Sequence, residues 1–332
     1  MRRSSPLLLA LLVVLLALLP LVIRNDYLGG VLDTVGTYAI VAVGLNLLCG
    51  GTGQFSLGHA GFYAIGAFAA GILSATYGWP FWLAVPVAGL LAALAGVIVG
   101  VPVLRLSGPY FSIATLGFGL LIANVFGSAD WAHGRTGITL NPPALGPYAF
   151  TTTTFFWVVL LALVLGVFVA HNLRRGATGR AFVALRESEP AAQASGVDLA
   201  RYRVTAFAIS ALYAGVAGAL FAYWGGYINA SGPTSSFSLA ISVLFIAMIV
   251  VGGLDSVAGS IIGAVFLVVV QELLQNAGQA QLVQPLYGAV IVVALLFLPR
   301  GLIGALALLR ARRGGAAPVA VGGAGVGAGA HG

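Results

Sequence analysis

The sequence predicts an all-α, polytopic transmembrane helical bundle of about eight to ten spans with both termini cytoplasmic. Three observations carry this. Of 332 residues, 60% are apolar and only 7% are charged. The apolar residues gather into ten runs, each near the roughly 20 residues a helix needs to cross the hydrocarbon core. When the runs are threaded alternately with the N-terminus inside, 13 of the 15 Arg fall on the cytoplasmic side, as the positive-inside rule requires. Soluble domains carry roughly 25% charged residues. A chain with so few charges cannot build a water-facing surface, so a soluble enzyme is excluded, and so is bulk disorder.

Taken in order, the runs are 7–23, 29–49, 54–76, 82–104, 109–128, 154–173, 204–224, 237–252, 257–274 and 283–299. The first follows Arg2 and Arg3 in the manner of a secretory signal. No small-residue cleavage site lies at 20–24, so an uncleaved first helix is expected. The third is rich in Gly and polar at its start, and reads either as a full span or as a broken, partly re-entrant segment. Removing an adjacent pair of runs leaves the Arg asymmetry intact, so eight spans also satisfy it. Two loops are long. The outer one, 129–153, carries Trp131, Pro142 and Pro143 and suits an ordered cap at the headgroup level. The inner one, 174–203, holds six Arg with Glu187, Glu189 and Asp198. Residues 1–313 then form one transmembrane domain, and the Gly/Ala-rich tail 314–332 is expected to be disordered.

Small residues four apart recur: Ala92, Gly96 and Gly100; Ala211 and Gly215; Ala214 and Gly218; Gly259 and Gly263. Such faces let helices approach closely in lipid. Asp33 and Glu272 lie near the ends of their runs, where a cap or snorkelling is expected. Asp255 is placed to cap the helix that follows it.

All 15 basic residues are Arg, and the chain has no Lys. That excludes a phosphate-binding P-loop, whose Lys reaches the β- and γ-phosphates, and a Schiff-base Lys. The single Cys49 excludes an intrachain disulfide and a Cys-based metal site. His59, His133 and His171 fall at different expected depths, and His331 lies in the tail, so no catalytic or metal constellation is visible. No cofactor is expected. The Arg residues fall between apolar runs rather than on one soluble face, which argues against nucleic acid. No acid sits convincingly at mid-depth, as a proton-coupled secondary transporter would want.

Two segments stand out. In the inner loop, Ser188 is a good N-cap, Pro190 falls in the first turn, and Ala191 and Ala192 favour helix, with Gly196 placed to end it. A capped helix this short, held between two spans, suggests docking against something. Earlier, Gly50, Gly51, Gly53, Gly58 and Gly61 weaken a helix where Asn46, Gln54, Ser56 and His59 supply neutral hydrogen-bonding groups. Asn46, Gly53, Gln54, Ser56, Gly58 and His59 therefore form a candidate translocation path. Close helix packing is the competing reading for the glycines, and an interhelical hydrogen bond for His59.

The stretch from Arg186 and Glu187 through Ser188, Glu189, Pro190, Ala191 and Ala192 to Gly196 resembles the coupling segment of ABC importer permeases. The stretches 44–67 and 252–264 are similar to characteristic segments of the LivH/LivM branched-chain amino acid permease family, nearer the LivM type. The resemblance covers roughly residues 30–300. It departs in reading Glu-Pro-Ala-Ala where the general motif has Glu-Ala-Ala. It implies a non-catalytic, multi-pass subunit of a bacterial inner membrane, moving branched-chain or other hydrophobic amino acids by alternating access. A urea or short-amide permease of the same family is the alternative. It further implies a second, LivH-like permease, two ATP-binding subunits and a periplasmic or lipid-anchored amino-acid-binding protein as partners. In that setting 187–196 docks on an ATPase, with Arg186, Glu187 and Glu189 setting orientation by charge.

Overall fold

The computed structural model describes residues 25–103, 108–133, 136–145, 148–230, 237–254 and 256–276, with a few positions between 285 and 304. Ten α-helices occur among the described residues outside those few positions: α1 Asp26–Thr52, α2 His59–Ala75, α3 Phe81–Val103, α4 Pro109–Ser128, α5 Thr152–Arg175, α6 Ala177–Glu187, α7 Glu189–Ala194, α8 Leu199–Gly225, α9 Leu239–Gly252 and α10 Val257–Asn276. Six of them (α1, α3, α4, α5, α8 and α10) are long and apolar enough to cross a membrane, and α2 and α9 are shorter apolar helices. Eight of the ten expected runs thus coincide with helices. The runs 7–23 and 283–299, the tail and Asp255 lie outside the described residues.

The bundle is organised around α1 and α8. Inside lipid, apolar contact with a neighbouring helix replaces apolar contact with lipid tails, so close van der Waals approach has to hold the helices together. The small-residue faces supply it. On α8, Gly215 meets Ala92 of α3, and a Cβ added at Gly215 would lie 2.4 Å from the Ala92 Cβ. Gly96 meets Ala211 in the same way, at 2.8 Å. Gly218 lies against the Tyr63 carbonyl of α2, and Gly263 of α10 against the Met248 carbonyl of α9. Aromatic rings fill the wider gaps: Tyr63 meets Tyr38, Phe221, Phe237 and Phe245, and Phe68 stacks on Phe126 with centroids 4.6 Å apart.

At the end of the bundle opposite the 174–203 loop, the long connection is ordered by short strands. Strand β1 (Ile138–Thr139) pairs antiparallel with β4 (Tyr227–Ile228), and β2 (Ala144–Leu145) with β3 (Tyr148–Ala149). The Leu140 N–H donates to the Gly226 carbonyl at 2.8 Å, continuing the first pairing onto the end of α8. Gly226, at φ 65°, ends that helix in the left-handed conformation that Gly adopts without a Cβ penalty.

The run starting at 54 takes the broken form: it becomes helical only at His59, and residues 53–58 are non-helical. Two sequence expectations are corrected. The inner loop contains α6, a helix of eleven residues that its short apolar content did not announce. Asp33 does not snorkel to the surface or cap its helix. Helix α1 begins at Asp26, three residues before the apolar run, so Asp33 lies about 10 Å inside it at 1.5 Å per residue. It is fully buried, and neither carboxyl oxygen has a hydrogen-bond partner among the described residues. Glu272 does sit near the end of α10, where it accepts a 2.6 Å hydrogen bond from the Tyr27 hydroxyl.

Candidate functional site

The loop end of the bundle is built from the break between α1 and α2. Gly53 closes α1 at φ 77°, its N–H reaching the Cys49 carbonyl. Gly44, nine residues earlier, lies against Tyr213 and Ser210 of α8, so α1 runs on to Thr52 for about 12 Å beyond that level. Yet α2 begins at His59, whose Nε2 is 2.6 Å from the Ser210 hydroxyl. Residues 53–58 therefore lead back into the bundle as non-helical chain. Ser210 is eleven residues from the start of α8, which places the start of α2 about 17 Å inside. Here α2 is a half-helix, one of the broken forms expected from the sequence.

A non-helical backbone inside a membrane bundle needs partners for its polar groups. Neighbours on α4, α8 and α9 provide them. The Leu57 N–H donates to the Thr115 hydroxyl at 3.1 Å, the Phe55 carbonyl accepts from Ser112 at 2.6 Å, and the Ala60 N–H donates to the Ser242 hydroxyl at 2.9 Å. His59 Nδ1 lies 2.9 Å from the Ser56 hydroxyl. His59 thus ties the non-helical segment to α8 with both ring nitrogens. Gly58 is required by proximity: a Cβ there would lie 2.0 Å from the Thr115 carbonyl oxygen.

The second half of the site is the 174–203 loop. Ser188 caps α7, its hydroxyl accepting from the Ala191 N–H at 3.4 Å. At the other end Gly196, at φ 81°, closes the helix. Its N–H donates to Gln193 and that of Val197 to Ala192, the paired bonds of a Schellman ending. The expected self-capped helix is present with six residues, Glu189–Ala194. Pro190, Ala191 and Gly196 are exposed, and Ala192 is turned inward. Arg203 pairs with Glu189, joining α7 to the first turn of α8. Arg186 donates to the Gly50 carbonyl at 2.7 Å. Both Arg186 and Glu189 are thereby engaged within the chain, and Glu187 lies exposed between them.

An open cleft of about 900 Å³ separates the two halves. Thr52, Gly53, Gln54 and Phe55 form one wall, Pro109 and Ser112 the floor, and residues 186–190 with Arg203 the other wall. Of the candidate path residues, Gly53 and Gln54 face this cleft, whereas Asn46, Ser56, Gly58 and His59 are fully buried behind it. Among the described residues, no three His, Cys, Asp or Glu side chains come together as a metal site.

Sequence reasoning missed Arg174, Thr115, Ser210, Ser242 and Gly253, each of which meets this site. No spacing rule pairs any of them with its partner on another helix.

The architecture is a bundle of apolar helices with a capped helix beside a broken one. A sequence profile described as branched-chain amino acid transport system / permease component matches residues 27–298. The chain belongs to this family. It is 37% identical over 292 residues to the high-affinity branched-chain amino acid transport system permease protein LivM of Escherichia coli K12, covering 80% of this chain and 67% of the relative. It is 25% identical over 294 residues to the LivH permease protein of Salmonella typhimurium, covering 81% and 91%. The autoinducer 2 import system permease protein LsrC of Escherichia coli O9:H4 is 28% identical over 188 residues, covering 56% and 54%. No solved structure matches the chain.

In this family member the capped helix has a measurable local contribution. Ser188→Ala removes the N-cap acceptor, and an exposed cap of this kind contributes about 1 kcal/mol. The expected outcome is faster backbone amide exchange in 189–194 with unchanged exchange in α8. Equal protection in both proteins would show that the neighbouring chain, not Ser188, holds α7.

Proposed function

We propose that this permease is the LivM-type subunit of an ABC importer that carries branched-chain amino acids into a bacterial cell. ATP is hydrolysed on two partner ATP-binding subunits, a LivH-like permease completes the membrane unit, and a periplasmic or lipid-anchored binding protein delivers the substrate. The observation that carries this reading is α7: a six-residue helix capped at both ends and held between α6 and α8. A loop without such ends would absorb a push from an ATPase, whereas a capped helix moves as a body. The Arg distribution supports a cytoplasmic position for this end of the bundle.

The cleft then opens toward the cytoplasm, and the His59 tie closes the bundle behind it. The cleft sets neutral groups of Thr52, Gly53, Gln54 and Ser112 on one side against Arg186, Glu187, Glu189 and Arg203 on the other. The two positive and two negative side chains balance, so no net fixed charge holds a zwitterionic amino acid there. Asn46, Ser56, Gly58 and His59 set the shape of the wall from behind. The similarity to LivM over most of the chain favours branched-chain substrates over urea or short amides.

The test is uptake of labelled leucine by proteoliposomes holding the reconstituted importer. Glu187 is exposed, so Glu187→Ala leaves the permease fold intact. Uptake is expected to fall about tenfold, the effect of losing roughly 1.4 kcal/mol at a docking contact. Full uptake at normal subunit stoichiometry would remove 187–196 from the ATPase contact.

A further inference from the structure

The C-terminal end of α1 poses a problem that its own sequence does not solve. A helix leaves its last carbonyls without intrahelical partners and carries partial negative charge there. No basic residue occupies the last turn of α1, which is largely buried. Two arginines from the inner-loop side meet this end of α1, one at a terminal carbonyl and one a turn earlier at Asn46. Arg186, in the last turn of α6, donates to the Gly50 carbonyl at 2.7 Å. Arg174, in the last turn of α5, donates to the Asn46 side-chain oxygen and, at 3.4 Å, to the Asn46 carbonyl. The other end of the same Asn46 amide donates to the Gly253 carbonyl at 3.2 Å, at the end of α9.

One buried amide therefore joins the ends of α1, α5 and α9, and one guanidinium joins α1 to the residue pair before the Ser188 cap. The spacing is short on both sides. Arg186 is two residues from Ser188, and Gly50 is three from Gly53, where the non-helical segment starts. A Cβ at Gly53 would lie 3.5 Å from the Arg186 Cγ, so the side chain runs alongside that turn. Close packing stiffens the junction: a Cβ at Gly50 would lie 1.9 Å from the Leu254 carbonyl oxygen.

Resting on the coupling reading above, we propose that Arg186 and Arg174 are positioning residues that fasten the coupling helix to the non-helical segment 53–58 by capping α1 from outside, with Asn46 as their anchor. When α7 is displaced, the Arg186 hydrogen bond carries the displacement to Gly50 and so to residues 53–58 and the start of α2. Arg174 and Asn46 hold the opposite side of the same turn against α5 and α9, so the turn pivots rather than unwinds. A guanidinium suits the task because it is always charged and its fork of donors reaches two acceptors at once. Arg174 reaches both Asn46 oxygens through a single nitrogen, Nη2.

The experiment uses the full importer in proteoliposomes, comparing Arg186→Gln, Arg174→Gln and Arg186→Lys with the parent protein. Three quantities are read: co-purification of the ATP-binding subunits, ATP hydrolysis, and leucine taken up per ATP. Arg186→Gln is expected to keep its subunits and its hydrolysis while uptake per ATP falls about tenfold, within the usual range of an inter-site coupling. Arg174→Gln acts in the same direction, and Arg186→Lys recovers part of the loss because an ammonium still donates to Gly50. Spin labels at Gln193 and Gln54 give a second reading: their separation changes little with ATP in the parent and widens in Arg186→Gln. Unchanged uptake per ATP in Arg186→Gln overturns the proposal. Loss of the ATP-binding subunits in that variant also overturns it, since Arg186 would then be a partner contact. Either result leaves the coupling reading to be judged on Glu187→Ala alone.

Discussion

A single methyl group at Gly218 is expected to remove most of the folded permease. The Cβ of an alanine there would lie 1.9 Å from the Tyr63 carbonyl oxygen and 2.8 Å from its carbon. Both contacts are backbone, so no flexible side chain can swing aside. The neighbouring pair is equally close, with Gly66 facing the Gly215 carbonyl at 2.0 Å. Helix α2 cannot retreat from α8 at one point without opening the other. Overpacking a well-filled interior costs about 1–3 kcal/mol, and this case belongs at the upper end because two helices must part. Set against a net stability of roughly 5–15 kcal/mol, that is a large share. Gly218→Ala is therefore expected to lower the thermal midpoint in detergent by several degrees and to deplete the protein from membranes. Gly117→Ala on α4 is the control, since nothing lies within 4 Å of a Cβ there. Equal loss in both variants would place the effect in helix propensity or handling rather than in the α2–α8 contact.

His59→Ala carries the second large effect. His59, Ser56 and Ser210 are all fully buried, and the imidazole bridges the two hydroxyls. Removing it orphans both hydroxyls, at about 1–3 kcal/mol for each buried group left unpaired, and leaves a void beside Phe62 and Phe207. The midpoint is expected to fall, and Ser210→Ala to fall by less, because one ring nitrogen keeps its Ser56 contact. At a temperature where the variant remains folded, half-saturating leucine for uptake is expected to stay near the parent value, because the ring faces Ser56 and Ser210 and not the cleft. A large shift in half-saturation with an unchanged midpoint would put His59 on the substrate path instead.

How far the sequence reached can be judged residue by residue. Helix positions were legible because in lipid each span must satisfy its own backbone, and length and hydropathy report that directly. The ends of α7 were legible because caps are local: Ser188 and Gly196 act on atoms within four residues of themselves. The small-residue faces were legible as faces, though not as pairs. Nothing in the order of residues says that Gly96 meets Ala211 or that Gly218 meets Tyr63. The break after Gly53 was visible as a weakness, but its depth was not, because depth depends on where Ser210 of another helix lies. Arg174 and Asn46 are 128 positions apart and carry no common motif. Asp33 misled because the apolar run began later than the helix did.

The pairing of Ile138 with Ile228 bears on how the chain is made. Between these strands lie two membrane helices and the whole arginine-rich loop, so the second strand leaves the ribosome long after the first. The first strand must wait, unpaired, on the far side of the membrane until α8 has crossed and delivered its mate. Completion of this small sheet thus follows the crossing of α5 and α8, while α9 and α10 are still to come. A nascent chain halted before Tyr227 would hold β1 without its partner strand.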